Sequence, residues 1–264
     1  MVLKSQSFLA QLIISFILFV CGQSVHSLEV MTVRADTWCP FNCVPNSEKP
    51  GILVELMQYA FKDSYSIDYQ TLPWPQSVAD VRSGKFNSVI GAAGPDAVGM
   101  THTERPQILS ITCAYALESN KKTISKAKDL LRLSSIGTTK DYSYGTETDK
   151  ALKDPKLKNK VKPIATDDAL AVNFRRVLDG KIEAVIEDIN VVSFQLKDRK
   201  ISGIKNIGCT EDRVPLWIAF TETNPKAKAW TEKLDKAQAE LEKSGKLAEI
   251  YKKYGVEPIS LNAK

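Results

Sequence analysis

His102 is the single histidine beyond residue 27, and no Gly-x-Ser-x-Gly elbow offers it a nucleophile. Gly-x-Gly-x-x-Gly and the phosphate-cradling Gly-rich loop are absent too. Four cysteines follow residue 27: Cys39, Cys43, Cys113 and Cys209. One histidine and one close cysteine pair make a poor zinc set, whereas an even cysteine count in an exported chain reads as disulfides. Three pairings are open. Cys39 with Cys43 encloses few residues, Cys113 with Cys209 ties distant segments, and these two bridges are the ones expected. No cofactor or metal is expected, and the chemistry left to these residue types is non-covalent binding.

The elements that would position such a site follow from patterning. Residues 1–27 read as an export signal, with Lys4, a short apolar run from Phe8 to Val20, and Val25-His26-Ser27 before an expected mature start at Leu28. The chain is therefore expected to be exported. Net charge is +5, and basic residues alternate with acidic ones from Lys226 to Lys253, which makes a solvated surface rather than a nucleic-acid patch. The remaining length favours two modest lobes or one large one. Strand patterns at 28–34, 65–72 and 87–91 alternate with helical spacing at 52–61 and 76–83. A second alternating set follows, with helices at 124–131, 146–152 and 167–178 and strands at 133–138, 161–164 and 184–187. An apolar strand at 216–220 and two amphipathic helices split at Gly245 close the chain. This order predicts an α/β fold of two lobes, each a mostly parallel sheet with flanking helices, joined by two crossing strands. The expected first lobe is 28–116 plus 217–264, and the second is 117–216 with the hinge crossings.

The pattern resembles the periplasmic solute-binding proteins of the polar amino acid ABC transporter class, bacterial extracellular solute-binding protein family 3. Asp36-Thr-Trp-Cys-Pro-Phe41, the run from Trp74 through Gly84-Lys85, Gly99-Met-Thr-His-Thr-Glu-Arg105, Gly180 through Asp188, and the stretch from Pro215 to the Gly245-Lys-Leu-Ala-Glu-Ile-Tyr251 ending carry the likeness. The resemblance implies a type II periplasmic binding protein fold. It also implies aromatic contacts to the ligand from Trp38 and Trp74, an Arg105 grip on a ligand carboxylate with Thr101 and Thr103 beside it, and an Asp188 that receives an ammonium group. Pro73 and Pro75 would hold Trp74 in a fixed loop. Strand alternation turns Glu187 away from Asp188, toward solvent or a neighbouring helix. Ser143, Tyr144 and Gly145 form the turn before a helix, where free N–H groups suit an anionic ligand group.

One stretch departs from the family. Residues 92–98 make a longer loop than usual, resembling a branch with Gly91-Ala-x-x-x-Asp96; if that loop lines the cleft, Asp96 favours a cationic group and Arg105 faces elsewhere. The implied function is capture of a small polar solute, an amino acid or related compound, by hinge closure, and delivery to the membrane permease of an ABC transporter. The protein would be a monomer without enzymatic activity. A ligand-sensing module for a membrane receptor is the alternative, and a dehydratase-like enzyme using Glu104 or Asp188 is a more distant one.

Overall fold

The computed structural model describes residues 28–166 and 168–259. The expected export signal lies outside them. Strand β1 (Glu29–Ala35) leads through a disulfide-closed loop to helix α1 (Ile52–Phe61), followed by β2 (Tyr65–Thr71), α2 (Trp74–Arg82), β3 (Ser88–Ala92), the short helix α3 (Gly94–Ala97), β4 (Met100–His102) and β5 (Ile108–Ser110). Then come β6 (Thr112–Leu117), β7 (Ile136–Thr139), α4 (Thr146–Leu152), β8 (Val161–Ile164), α5 (Ala169–Leu178), β9 (Ala184–Asp188), α6 (Ile189–Asp198) and β10 (Ile204–Cys209). The chain ends in β11 (Val214–Thr221), α7 (Ala227–Lys243) and α8 (Lys246–Tyr254). Among the described residues no helix is long and apolar enough to cross a membrane.

Two sheets result. The first runs β2-β1-β3-β11-β4, with β5 also on β11, and the second runs β10-β6-β9-β7-β8. Each has three parallel strands, made by helical crossovers, and is completed by antiparallel ones. The antiparallel partners are the strands next to the crossings: β11 on β3, and β6 on β9. The chain leaves the first sheet at Ile111 and returns between Cys209 and Val214. Both crossings come earlier than the expected 116/117 and 216/217 boundaries, because β6 pairs along its whole length in the second sheet and β11 already pairs with β5 at Val214.

Packing explains the element choices. Helix α1 buries Ile52, Leu53, Leu56, Met57 and Phe61 on the first sheet, and α7 and α8 cover the same lobe. Trp230 on α7 is almost fully buried, stacks edgewise on Tyr65, and donates its indole N–H to the Tyr65 hydroxyl at 3.0 Å. Burying a side chain of this size contributes ~1.5–3 kcal/mol. In the second lobe Ile124, Leu130 and Leu133 are buried in a stretch expected as helix and strand, but this stretch folds as a 3-10 turn (Ala127–Arg132). The Asp129 carboxylate caps it by accepting from the Ser125 and Lys126 N–H groups. Helix α6 and strand β10 had no counterpart among the sequence expectations.

Both expected disulfides are present, Cys39 to Cys43 and Cys113 to Cys209. The second closes a separation of 96 residues and joins β6 to β10 beside both crossings. Replacing Cys113 and Cys209 together by Ala is therefore expected to cost about 2–5 kcal/mol, and replacing Cys39 and Cys43 less, since the loop entropy removed from the unfolded chain grows with loop length. Urea unfolding midpoints of the two double variants check the ranking.

Candidate functional site

The carboxyl ends of the parallel strands in both sheets face one cleft, the place where open α/β sheets hold ligands. From the first lobe come Asp36 and Trp38 after β1, Trp74 at the start of α2, Ile90 and Gly91 on β3, and Asp96 on α3. From the second come Tyr142, Ser143 and Tyr144 after β7, and Glu187 and Asp188 at the end of β9. One cavity here spans about 560 Å³, open solvent included, and shares Asp36, Trp38, Trp74, Tyr142 and Glu187 with a larger adjoining one lined also by Lys140 and Asp168.

Local chemistry holds each group. The loop after β1 is tied by paired backbone bonds, Trp38 N–H to the Asn42 carbonyl at 2.7 Å and Asn42 N–H back to Trp38 at 3.2 Å, inside the Cys39–Cys43 bridge. Trp38 rests on Phe41, ring centres 4.9 Å apart. Its indole N–H crosses the cleft and donates to Glu187 Oε1 at 3.2 Å. In the reverse direction the Tyr142 hydroxyl donates to Asp36 Oδ2. Each wall thus supplies one donor and one acceptor to the other. Trp74 begins α2 rather than standing in a loop, with Pro75 in the first turn, where its missing N–H costs nothing.

The carboxylates differ in role. Asp188 caps α6: Oδ1 accepts from Asn190 and Val191 N–H at 2.8 and 3.1 Å, and Oδ2 from the Ser110 hydroxyl and Ile111 N–H at 2.8 and 3.1 Å. All four bonds are internal, so Asp188 holds the first crossing to α6 instead of waiting for an ammonium group. Burial raises its carboxyl from the ordinary range, and these four donors pull it back. Glu187, expected to face away, lines the cleft and is 3% exposed. Alternation misleads here because all five β9 residues are buried, so both faces of the strand are interior. Burial, reinforced by the Asp188 and Asp36 charges, pushes its carboxyl up to about 8, against the hydrogen bonds from Asp188 N–H and Trp38. Both of those donors meet Oε1. Asp96 is raised as well, chiefly by burial, while Arg82 and a hydrogen bond with Trp74 oppose the rise.

Arg105 and the Ser143 turn depart from expectation as well. Arg105 lies outside the cleft, where its guanidinium pairs with Glu242 and Asp235 of α7. Thr101 pairs with Phe220 in the sheet, and the Thr103 hydroxyl donates to the Arg105 carbonyl. The cause is local: the longer loop forms α3 and β4, so Asp96 reaches the cavity and Arg105 follows on the far side. The turn at Ser143 lines the cleft, but four of its donors are held by carboxylates of the protein. The Ser143 hydroxyl and Tyr144 N–H bind Asp149, and the first N–H groups of α4, at Glu147 and Thr148, bind Asp212. Gly145, with φ 106°, is required there, because a Cβ would lie 2.5 Å from the Asp212 side chain. Asp36, Asn42 and Tyr142 were not singled out by sequence, and Glu187 was assigned to the other face; only the place of Asp36 at the end of a parallel strand, two residues before Trp38, was legible.

Two α/β sheets joined by two crossings around a shared cleft define a two-lobed binding protein with the type II periplasmic binding protein fold. The family model for bacterial extracellular solute-binding proteins, family 3, matches residues 30–257, and the chain belongs to that family. No curated protein matches the sequence. Among solved structures, an ancestral arginine-binding protein bound to arginine superposes with a TM-score of 0.70 at 21% identity, over 87% of this chain and 99% of that one. The arginine-, lysine-, histidine-binding protein ArtJ from Geobacillus stearothermophilus gives 0.66 at 20% identity, over 89% and 98%. A histidine kinase sensor domain with similarity to periplasmic binding proteins gives 0.70 at 14% identity, over 87% and 98%. At such identities the likeness is one of fold.

Two predictions follow from the carboxylates. Glu187 ionises less readily when folded than when unfolded, so its contribution to stability is complete below about pH 4.5 and is lost as pH rises through about 8. Melting curves against pH should show the wild type losing stability over that window relative to Glu187→Gln. Asp188→Ala should destabilise by about 1–3 kcal/mol, through the lost cap and the buried N–H groups left without an acceptor, measured by urea unfolding.

Proposed function

We propose that this chain is an exported solute-binding protein which captures a small polar solute, of the amino acid size class, and presents it to the membrane permease of an ABC transporter. The observation that carries this is the reciprocal pair of contacts across the cleft, Trp38 to Glu187 and Tyr142 to Asp36. A solute held between these walls touches both lobes and stabilises the closed arrangement, which a membrane partner can then recognise. The crossings at Ile111 and at 210–213 serve as the hinge, so one lobe carries β1–β5, β11, α7 and α8, and the other carries β6–β10. Trp38 and Trp74 supply aromatic faces, and Asp96, Tyr144 and Glu187 the polar contacts. The protein works as a monomer in the periplasm and by binding rather than by chemistry. The likeness to a histidine kinase sensor domain supports a second reading, in which the same closure reports the solute to a membrane receptor.

Thermal unfolding against amino acids, polyamines, small sugars and dicarboxylates tests the binding role. A bound solute at a hundredfold excess over its Kd adds about 2.7 kcal/mol. Trp38→Ala should weaken that solute about tenfold or more through loss of the covering ring. Unchanged affinity in both Trp38→Ala and Glu187→Ala would remove the cleft as the site.

A further inference from the structure

Given the solute-binding role proposed above, the donor and acceptor inventory of the cleft narrows the solute class. Among the described residues, no Lys, Arg or His lines the cavity that holds Asn42, Asp96 and Asp188, and Lys140 stands only in the adjoining one. Four of the side-chain donors there are spent on the protein itself: Trp38 on Glu187, Tyr142 on Asp36, Ser110 on Asp188, and Thr112 on the Tyr144 carbonyl. Of the two features expected to hold an anionic group, one lies outside the cleft and the other already holds a carboxylate of the protein. Arg105 is paired with α7 outside the cleft, and the N–H groups at the start of α4 already hold Asp212.

Acceptors remain. Asn42 is 1% exposed and lines the cavity. Its amide NH2 donates to the Asp36 carbonyl at 2.7 Å, which assigns the other terminal atom as the oxygen. That Oδ1, beside Gly91, has no hydrogen-bond partner. A buried acceptor left unpaired costs free energy until a donor reaches it. Glu187 receives both of its bonds on Oε1, which leaves Oε2 outside them, and Asp96 adds a further carboxylate from the opposite wall. Trp38 and Trp74 offer ring faces of the kind that attract cations.

We infer that the cleft takes an amine or guanidine cation that carries no carboxylate. Such a group donates to Asn42 Oδ1 and to the carboxylates at once. It also offsets the cost of burying charge on Glu187 and Asp96, whereas a carboxylate on the solute would add to that cost and meet no Lys, Arg or His side chain in this cavity.

Calorimetric titration of the full chain with matched pairs tests this. 1,5-Diaminopentane is L-lysine without its carboxylate, and agmatine is L-arginine without its own. At least one of these amines should bind about tenfold or more tighter than its amino acid, the scale of a charge-assisted hydrogen bond against an unpaired buried charge. Glu187→Gln and Asp96→Asn should each weaken that amine, and Arg105→Ala should leave it unchanged. If an amino acid, sugar or dicarboxylate binds tighter than the amines, or Arg105→Ala abolishes binding, the cation inference falls while the solute-binding role stands. If no compound of any of these classes binds, both fall.

Discussion

The Asp188 carboxylate joins three pieces of chain at one point: the end of β9, the first turn of α6 and the first crossing at Ser110 and Ile111. A charge this buried is tolerable only because four donors surround it. The Ile189 N–H adds a bond to the Ile111 carbonyl, so crossing and helix are held by backbone as well as side chain. Beside this joint the Cys113–Cys209 bridge and the Thr210 N–H to the Thr112 carbonyl bond tie the returning crossing to the outgoing one. The second wall of the cleft is therefore anchored at one corner. The direction of Glu187, one residue earlier on β9, follows from that anchor.

The cleft itself is an electrostatic arrangement kept in balance by donors from the opposite wall. Asp36 and Glu187 face each other's lobes, and each accepts from an aromatic side chain across the gap. Aromatic donors suit this role, since Trp and Tyr bring an apolar body to line the cavity and a polar tip to meet a carboxylate. Burial keeps the Tyr142 and Tyr144 hydroxyls protonated well beyond the ordinary range, with the Asp36 and Glu187 charges adding to the effect. Both therefore remain neutral lining at any physiological pH.

Much of the architecture was legible from spacing alone. Helical periodicity at Ile52, Leu56, Met57, Ala60 and Phe61 marks α1, and the apolar run at Leu216 to Phe220 marks β11, because each buries one face or lies wholly in the core. The site was less legible, for three physical reasons. Arg105 matched a family position, but the extra turn of α3 displaces it to the side of α7. Alternation separated Glu187 from Asp188 as though β9 had a solvent face, and a central strand has none. The turn at Ser143 looked ready for an anion because Asp212, the group that fills it, lies far along the sequence on the returning crossing. For Glu187 and the Ser143 turn a long-range contact decides the matter and local pattern carries no trace of it, whereas for Arg105 the longer loop before it does, and that loop is visible in the sequence.

A crystal structure of the protein with the solute that most raises its melting temperature bears most directly on the central claim, that this cleft is where the solute binds. The account predicts the solute between Trp38 and Trp74, with a donor group within hydrogen-bond distance of Glu187 and Asn42 Oδ1. Electron density beside Arg105 with the cleft unchanged would contradict it.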